Sequence, residues 1–171
     1  MKKIRSVDIV SVDRQWQYPA ITEKHAYRKV QELVPYCTGV VYFAFPWATL
    51  IDLIDNGKPE AKELLHDLRS SVVKLKKYKH VMTVCQHIRM LQHQDLFKDV
   101  GIDIVYWTHA VLDQETFPAH GGIQIKPFPL YPVQNEKAKE SIVDRDYLFS
   151  LVGARSNQWY LTDSRNLIID L

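Results

Sequence analysis

Cysteine is scarce in this sequence, with two residues, Cys37 and Cys85, among 171. Two thiols make neither a disulfide framework nor a C-x-x-C redox or zinc site. Both sit beside apolar, strand-like runs, so they are read as buried and reduced. Glycine (6) and proline (8) are few and form no low-complexity tract, which excludes disordered and fibrous classes. Charge of one sign is missing too. A formal net charge of +2 lacks the basic field of a general nucleic-acid binder. Long apolar runs are absent: the longest, "VVYFAFPWA" (40–48), falls short of the ~18 residues of a spanning helix. The opening "MKKIRSVDIVSVDR" is interrupted by Arg5, Asp8 and Asp13 and does not form a signal peptide. The expectation is a cytoplasmic protein without a transmembrane segment.

Several catalytic signatures are also missing. His87 and His93 do not share a helical face, His109 and His120 are separated by a loop, and there is no H-E-x-x-H or Cys/His cluster. No metal site is expected. A G-x-S-x-G turn and a G-x-x-x-x-G-K-[ST] loop are absent, against serine hydrolysis and P-loop chemistry.

What is present is an ordinary globular composition, 46% apolar and 25% charged. The length suits one domain of ~100–200 residues. "TGVVYFAF" (38–45), between Pro35 and Pro46, reads as a buried central strand. "WATLIDLIDNG" reads as a short helix stopped at Asn56-Gly57. In "KPEAKELLHDLRSSVVKLKKYKH" the leucines and valines recur at 3–4 spacing, with acids early and lysines late, as in a helix that complements its dipole. "HVMTVCQH" (80–87), "IRMLQHQDLFKDVG" (88–101) and "IDIVYWTHA" (102–110) form a β-α-β unit, whose strands should be parallel with a right-handed crossover. A short strand at "GIQIK" then gives way to a Pro-rich passage that marks a domain crossing. The predicted fold is α/β: an open, mostly parallel Rossmann-like sheet flanked by helices. The expected division is a domain over 1–134, then a linker with the first strand and helix of a second domain over 135–171.

Ligands of open α/β sheets bind at the carboxyl ends of the strands. Three strand ends carry suitable chemistry. After the strand at 80–87, Gln86, His87 and Arg89 offer donors and an imidazole at a helix start. After the strand at 102–110 come Thr108, His109, Asp113 and Glu115, a pairing of His and carboxylate that suits a general base. Tyr106 and Trp107 there are either core or the wall of a sugar-sized pocket. The third end, "YLFSLVGARSN", joins Gly153 and Arg155 to a helix bearing Arg165, which suits a diphosphate.

The succession "TVCQH", "GIDIVYWTHA", "IQIKPFPLYP", "RDYLFSLVGARSN" and "DSRNLIIDL" resembles the bacterial exostosin-like glycosyltransferases over roughly residues 80–171. The resemblance implies the N-terminal part of a GT-B architecture and metal-independent, inverting transfer of a sugar from a nucleotide-sugar, UDP-linked, to a glycan acceptor in polysaccharide synthesis. It implies no cofactor beyond that co-substrate, and a cytoplasmic place, with a peripheral position at the inner membrane left open. Residue by residue, Arg155 and Arg165 would stabilise the departing diphosphate and Gly153 would keep the backbone close to it. His87 and His109 would face the acceptor hydroxyl, with Gln86, Arg89, Trp107 and Asp113 binding the acceptor. Because the donor domain only begins at 147, the chain alone is expected to be inactive. Its alternative is a stand-alone α/β binding module that pairs with a separate chain supplying the donor domain, or a small nucleotide-binding regulator.

Overall fold

A computed structural model describes residues 8–32 and 39–133, all within the first of two units, Met1–Ala138. Among the described residues five strands form one open sheet: β1 (Asp8–Ser11), β2 (Val40–Ala44), β3 (His80–Cys85), β4 (Ile104–Trp107) and β5 (Gln124–Pro127). Every neighbouring pair is parallel, in the order β1-β2-β3-β4-β5. The expected α/β Rossmann-like sheet is therefore present. Four helices connect the strands: α1 (Thr22–Glu32), α2 (Trp47–Asp55), α3 (Ala61–Leu75) and α4 (Gln94–Val100).

Alternation along the strands sorts the core into two faces, because successive side chains of a strand point to opposite sides. Val41, Phe43, Val81, Cys85, Val105, Trp107 and Ile125 face α2, α3 and α4, whose Leu50, Ile51, Leu64, Leu68 and Phe97 complete the larger cluster. Trp47 stacks on Phe97 at 4.1 Å and meets Phe43 edge-on, so the two crossovers that flank β3 are locked through aromatic rings. Trp47 Nε1 donates to Thr83 Oγ1 and Thr83 Oγ1 to Phe43 O, each at 2.7 Å, which satisfies the polar atoms of that packing. On the other face, Tyr42, Ala44 and Val84 pack against Ala26 of α1.

The strand order never reverses, yet α1 lies on one face and α2–α4 on the other. The β1-to-β2 connection therefore has the opposite hand to the two that follow, which share one face and one direction of travel. After β1 the chain first follows α2 and α3, with Val12 on their side of the sheet, Gln15 O accepting from Thr49 Oγ1 and Arg14 paired with Asp67, before it reaches α1.

The expected elements stand with shifted ends. The strand at 80–87 ends at Cys85, and that at 102–110 covers Ile104–Trp107. The helix expected over 88–101 is a 3-10 turn, Met90–His93, followed by α4, which stops at Gly101 with φ 83°. Only glycine adopts that left-handed value without strain. Pro127 lies in the edge strand β5, the one place where its missing N–H leaves no ladder bond unmade. Beyond β5 the chain turns back to α1. Ile21 N donates to Tyr131 O at 3.0 Å, Tyr131 N to Thr22 Oγ1 at 2.7 Å, and His25 stacks on Tyr131 at 3.6 Å.

Candidate functional site

Helix α2 starts at Phe45-Pro46-Trp47 without a capping side chain of its own. Its first N–H groups need acceptors. Glu23, from the first turn of α1, supplies one: Oε1 accepts from Ala48 N at 3.1 Å and from Gln86 N at 3.0 Å, and Oε2 lies 3.3 Å from Ala48 N. Glu23 is 2% exposed. Burial pushes its carboxyl up to about 8, against backbone donors on Gln86, Ala48 and Trp47 that pull it down and with Asp52 adding to the rise. Desolvation is the largest of these effects and favours the neutral acid. Ala48 N reaches both carboxyl oxygens, and Gln86 N reaches Oε1.

Gln86, just past β3, extends the network. Its Nε2 donates to Ala20 O and to Gln17 Oε1, both at 2.7 Å, and its Oε1 accepts from Glu23 N at 3.3 Å. Gln17 Nε2 donates to Asp52 Oδ2 at 2.5 Å. Asp52 Oδ1 in turn lies 3.0 Å from His87 Nε2. The loop between β1 and α1 thereby joins the connections that follow β2 and β3 at one edge of the sheet.

The two histidines at adjacent strand ends are held differently. His87 is buried, and its Nδ1 accepts from Arg89 N at 3.1 Å, so the ring proton lies on Nε2 and is donated to Asp52. Both ring nitrogens are engaged. His109, at the end of β4, is half-buried and hydrogen-bonds through Nδ1 to Thr108 Oγ1 at 2.9 Å. Its Nε2 makes no hydrogen bond among the described residues. Burial first, and the neighbouring His87 second, lower its pKa below 6.5, leaving the imidazole neutral at physiological pH.

The other expected site residues are placed as follows. Trp107 is buried in the sheet core and donates from Nε1 to His87 O at 2.9 Å, so it supports the His87 turn from beneath. Arg89 pairs with Asp55 at 3.2 Å, and His93 meets the same carboxylate at 2.9 Å, tying the turn after β3 to α2. Asp113 is exposed, at φ 69°, in the turn after β4. Gly153, Arg155 and Arg165 lie outside the described residues. The structure thus brings together Gln86, His87, Trp107 and His109. It adds Gln17, Glu23 and Asp52, and sets Thr108 against His109 as neighbours in the turn after β4.

Glu23 and Asp52 carry no motif, and each reads locally as an ordinary helix acid. One signal was available: a helix opening on Pro-Trp-Ala has no cap of its own and must take one from elsewhere in the chain. A separate shallow cleft of ≈350 Å³, lined by Arg14, Lys62, Glu63, His66 and Asp67, lies along α3. Its ion pairs of Arg14 with Glu63 and Asp67 are exposed, and it holds none of the buried polar groups found at the strand ends.

The carboxyl edge of the open parallel sheet thus carries a buried acid, Glu23, and a half-buried imidazole, His109. No protein-family model matches the chain, and no curated protein or solved structure is significantly similar to it. Among the described residues, no helix is long and apolar enough to cross a membrane, and no group of three or more His, Cys, Asp or Glu side chains is placed to hold a metal ion.

Proposed function

We propose that this chain is the acceptor-side part of an exostosin-like glycosyltransferase of the GT-B type, which moves a sugar from a UDP-linked donor to a glycan acceptor with inversion and without a metal. The donor half is completed by a further domain or a separate chain, with Gly153, Arg155 and Arg165 at the diphosphate. One observation carries the reading: His109 is a neutral imidazole at the carboxyl edge of the sheet whose Nε2 is unfilled. In the reaction the acceptor hydroxyl oxygen forms its bond to the anomeric carbon. The bond from that carbon to the diphosphate oxygen breaks, and the nucleotide leaves with the electron pair. The hydroxyl proton passes to His109. His87, closed on both nitrogens, orders the edge and takes no part in proton transfer.

The test is UDP release from a panel of UDP-sugars with oligosaccharide acceptors, using the protein expressed from its native reading frame. His109→Ala should reduce turnover by roughly 100-fold or more, the usual scale for loss of a general base. No turnover with any donor, together with no heat on titrating UDP to millimolar concentration, would overturn the reading. A second reading, a binding module without transfer chemistry, draws on the engagement of Glu23, Gln86 and His87 in internal hydrogen bonds. UDP or glycan binding without turnover is its signature.

A further inference from the structure

Thr108 sits between a buried carbonyl and the imidazole of His109. Its Oγ1 is 3.2 Å from Gln86 O and 2.9 Å from His109 Nδ1. A hydroxyl has one proton to give. Gln86 is 5% exposed, and among the described residues no backbone N–H reaches its carbonyl. Giving the Thr108 proton to His109 would leave that buried carbonyl unsatisfied, an arrangement native structures avoid. Giving it to Gln86 O satisfies the carbonyl and leaves a Thr108 lone pair to accept from Nδ1–H.

We infer that Thr108 is the positioning residue of the site: it donates to Gln86 O, accepts from His109 Nδ1–H, and so places the unfilled lone pair of His109 on Nε2. His87 and His109 are then held in opposite tautomers, His87 with its proton on Nε2 by the Arg89 amide and His109 with its proton on Nδ1 by the Thr108 hydroxyl. The first faces a carboxylate as a donor. The second is an acceptor with nothing to accept from until a substrate hydroxyl arrives. The tautomer follows from this hydrogen bonding alone, and its use as a base rests on the proposed transfer reaction.

Nitrogen-15 correlation spectra of the histidine rings in the 171-residue chain test the assignment, since protonated and unprotonated ring nitrogens have well-separated shifts. At a pH where both rings are neutral, His109 should show its proton on Nδ1 and His87 on Nε2. In Thr108→Val, which keeps the shape and loses the hydroxyl, His109 should shift toward the Nε2-protonated form. Thr108→Ser should restore the wild-type pattern, and it provides the comparison if the valine variant folds poorly. A wild-type His109 protonated on Nε2, or one indifferent to Thr108→Val, overturns the inference. Where UDP release is measurable, Thr108→Val should lower kcat at least about tenfold with KM little changed, and an unchanged kcat overturns the positioning role. Absence of transfer in every form removes the reaction while the spectra still decide the tautomer.

Discussion

Replacing Glu23 by glutamine tests the buried acid. The two side chains have the same shape, and the amide oxygen of Glu23→Gln can accept from Ala48 and Gln86 as Oε1 does, but the amide never ionises. In the wild type the folded form holds a proton up to about 8, whereas the unfolded chain releases it near 4.5. Because the folded value is raised, the stability that this group contributes is fully present below 4.5 and is lost as pH rises through about 8. At about 1.4 kcal/mol per pH unit the loss across that window approaches roughly 5 kcal/mol. A domain stable by about 5–15 kcal/mol would feel it strongly. Water entering near Glu23 when it ionises would make the loss smaller, so the figure is a ceiling. Urea unfolding of wild type and Glu23→Gln, followed by tryptophan fluorescence at pH values between 4.5 and about 8, isolates this group because all other titrations cancel in the difference. The glutamine variant should gain on the wild type steadily with rising pH. A flat difference, or a wild type that gains instead, would show that the backbone donors outweigh burial and that Glu23 is ionised in the fold.

Other groups give independent checks. His109 should titrate with a midpoint below the ordinary 6.5 in proton NMR, because burial and His87 disfavour the imidazolium; with the folded value lowered, its contribution to stability is present above 6.5 and lost as pH falls through the folded midpoint. A midpoint at or above 6.5 would contradict the half-buried placement. Cys85 is fully buried, and desolvation with the nearby Glu23 raises its thiol well above 9.0, so alkylating reagents at neutral pH should leave it unmodified in peptide mapping of the folded protein. Rapid native labelling of Cys85 would count against that packing. Tyr42 is 3% exposed, and its hydroxyl has no hydrogen-bond partner among the described residues. Tyr42→Phe should therefore leave stability unchanged or raise it by up to about 1 kcal/mol, and a loss larger than that in chemical denaturation would reveal a partner for the hydroxyl.

The strands from β2 onward were legible because their apolar, β-branched runs are punctuated by Pro46, Gly57 and Gly101, and local punctuation survives folding. β1 and α1 carry no such local signal. "DIVS" is only four residues long, and "TEKHAYRKVQE" is polar apart from the short stripe of Ala26, Tyr27 and Val30 that meets the sheet. The candidate site divides the same way. Gln86, His87 and His109 were visible as polar residues leaving strands, a position that depends only on local sequence. Glu23 was invisible because its partners, the amides of Ala48 and Gln86, stand 25 and 63 residues away. The closing of His87 on both nitrogens is equally hidden, since it needs Asp52, 35 residues earlier on α2.

The return of the chain from β5 to the start of α1 has a consequence for the order in which the protein matures during synthesis. Thr22 is translated early, but the amide it receives belongs to Tyr131, 109 residues later. At about 5–20 residues per second, the first turn of α1 waits roughly 5–22 seconds for that partner. Glu23 meets its own partners, the amides of Ala48 and Gln86, before that last contact at the helix start is made. Chains released before Tyr131 should exchange their α1 amide hydrogens faster than the complete protein, and equal protection would show that α1 settles without them.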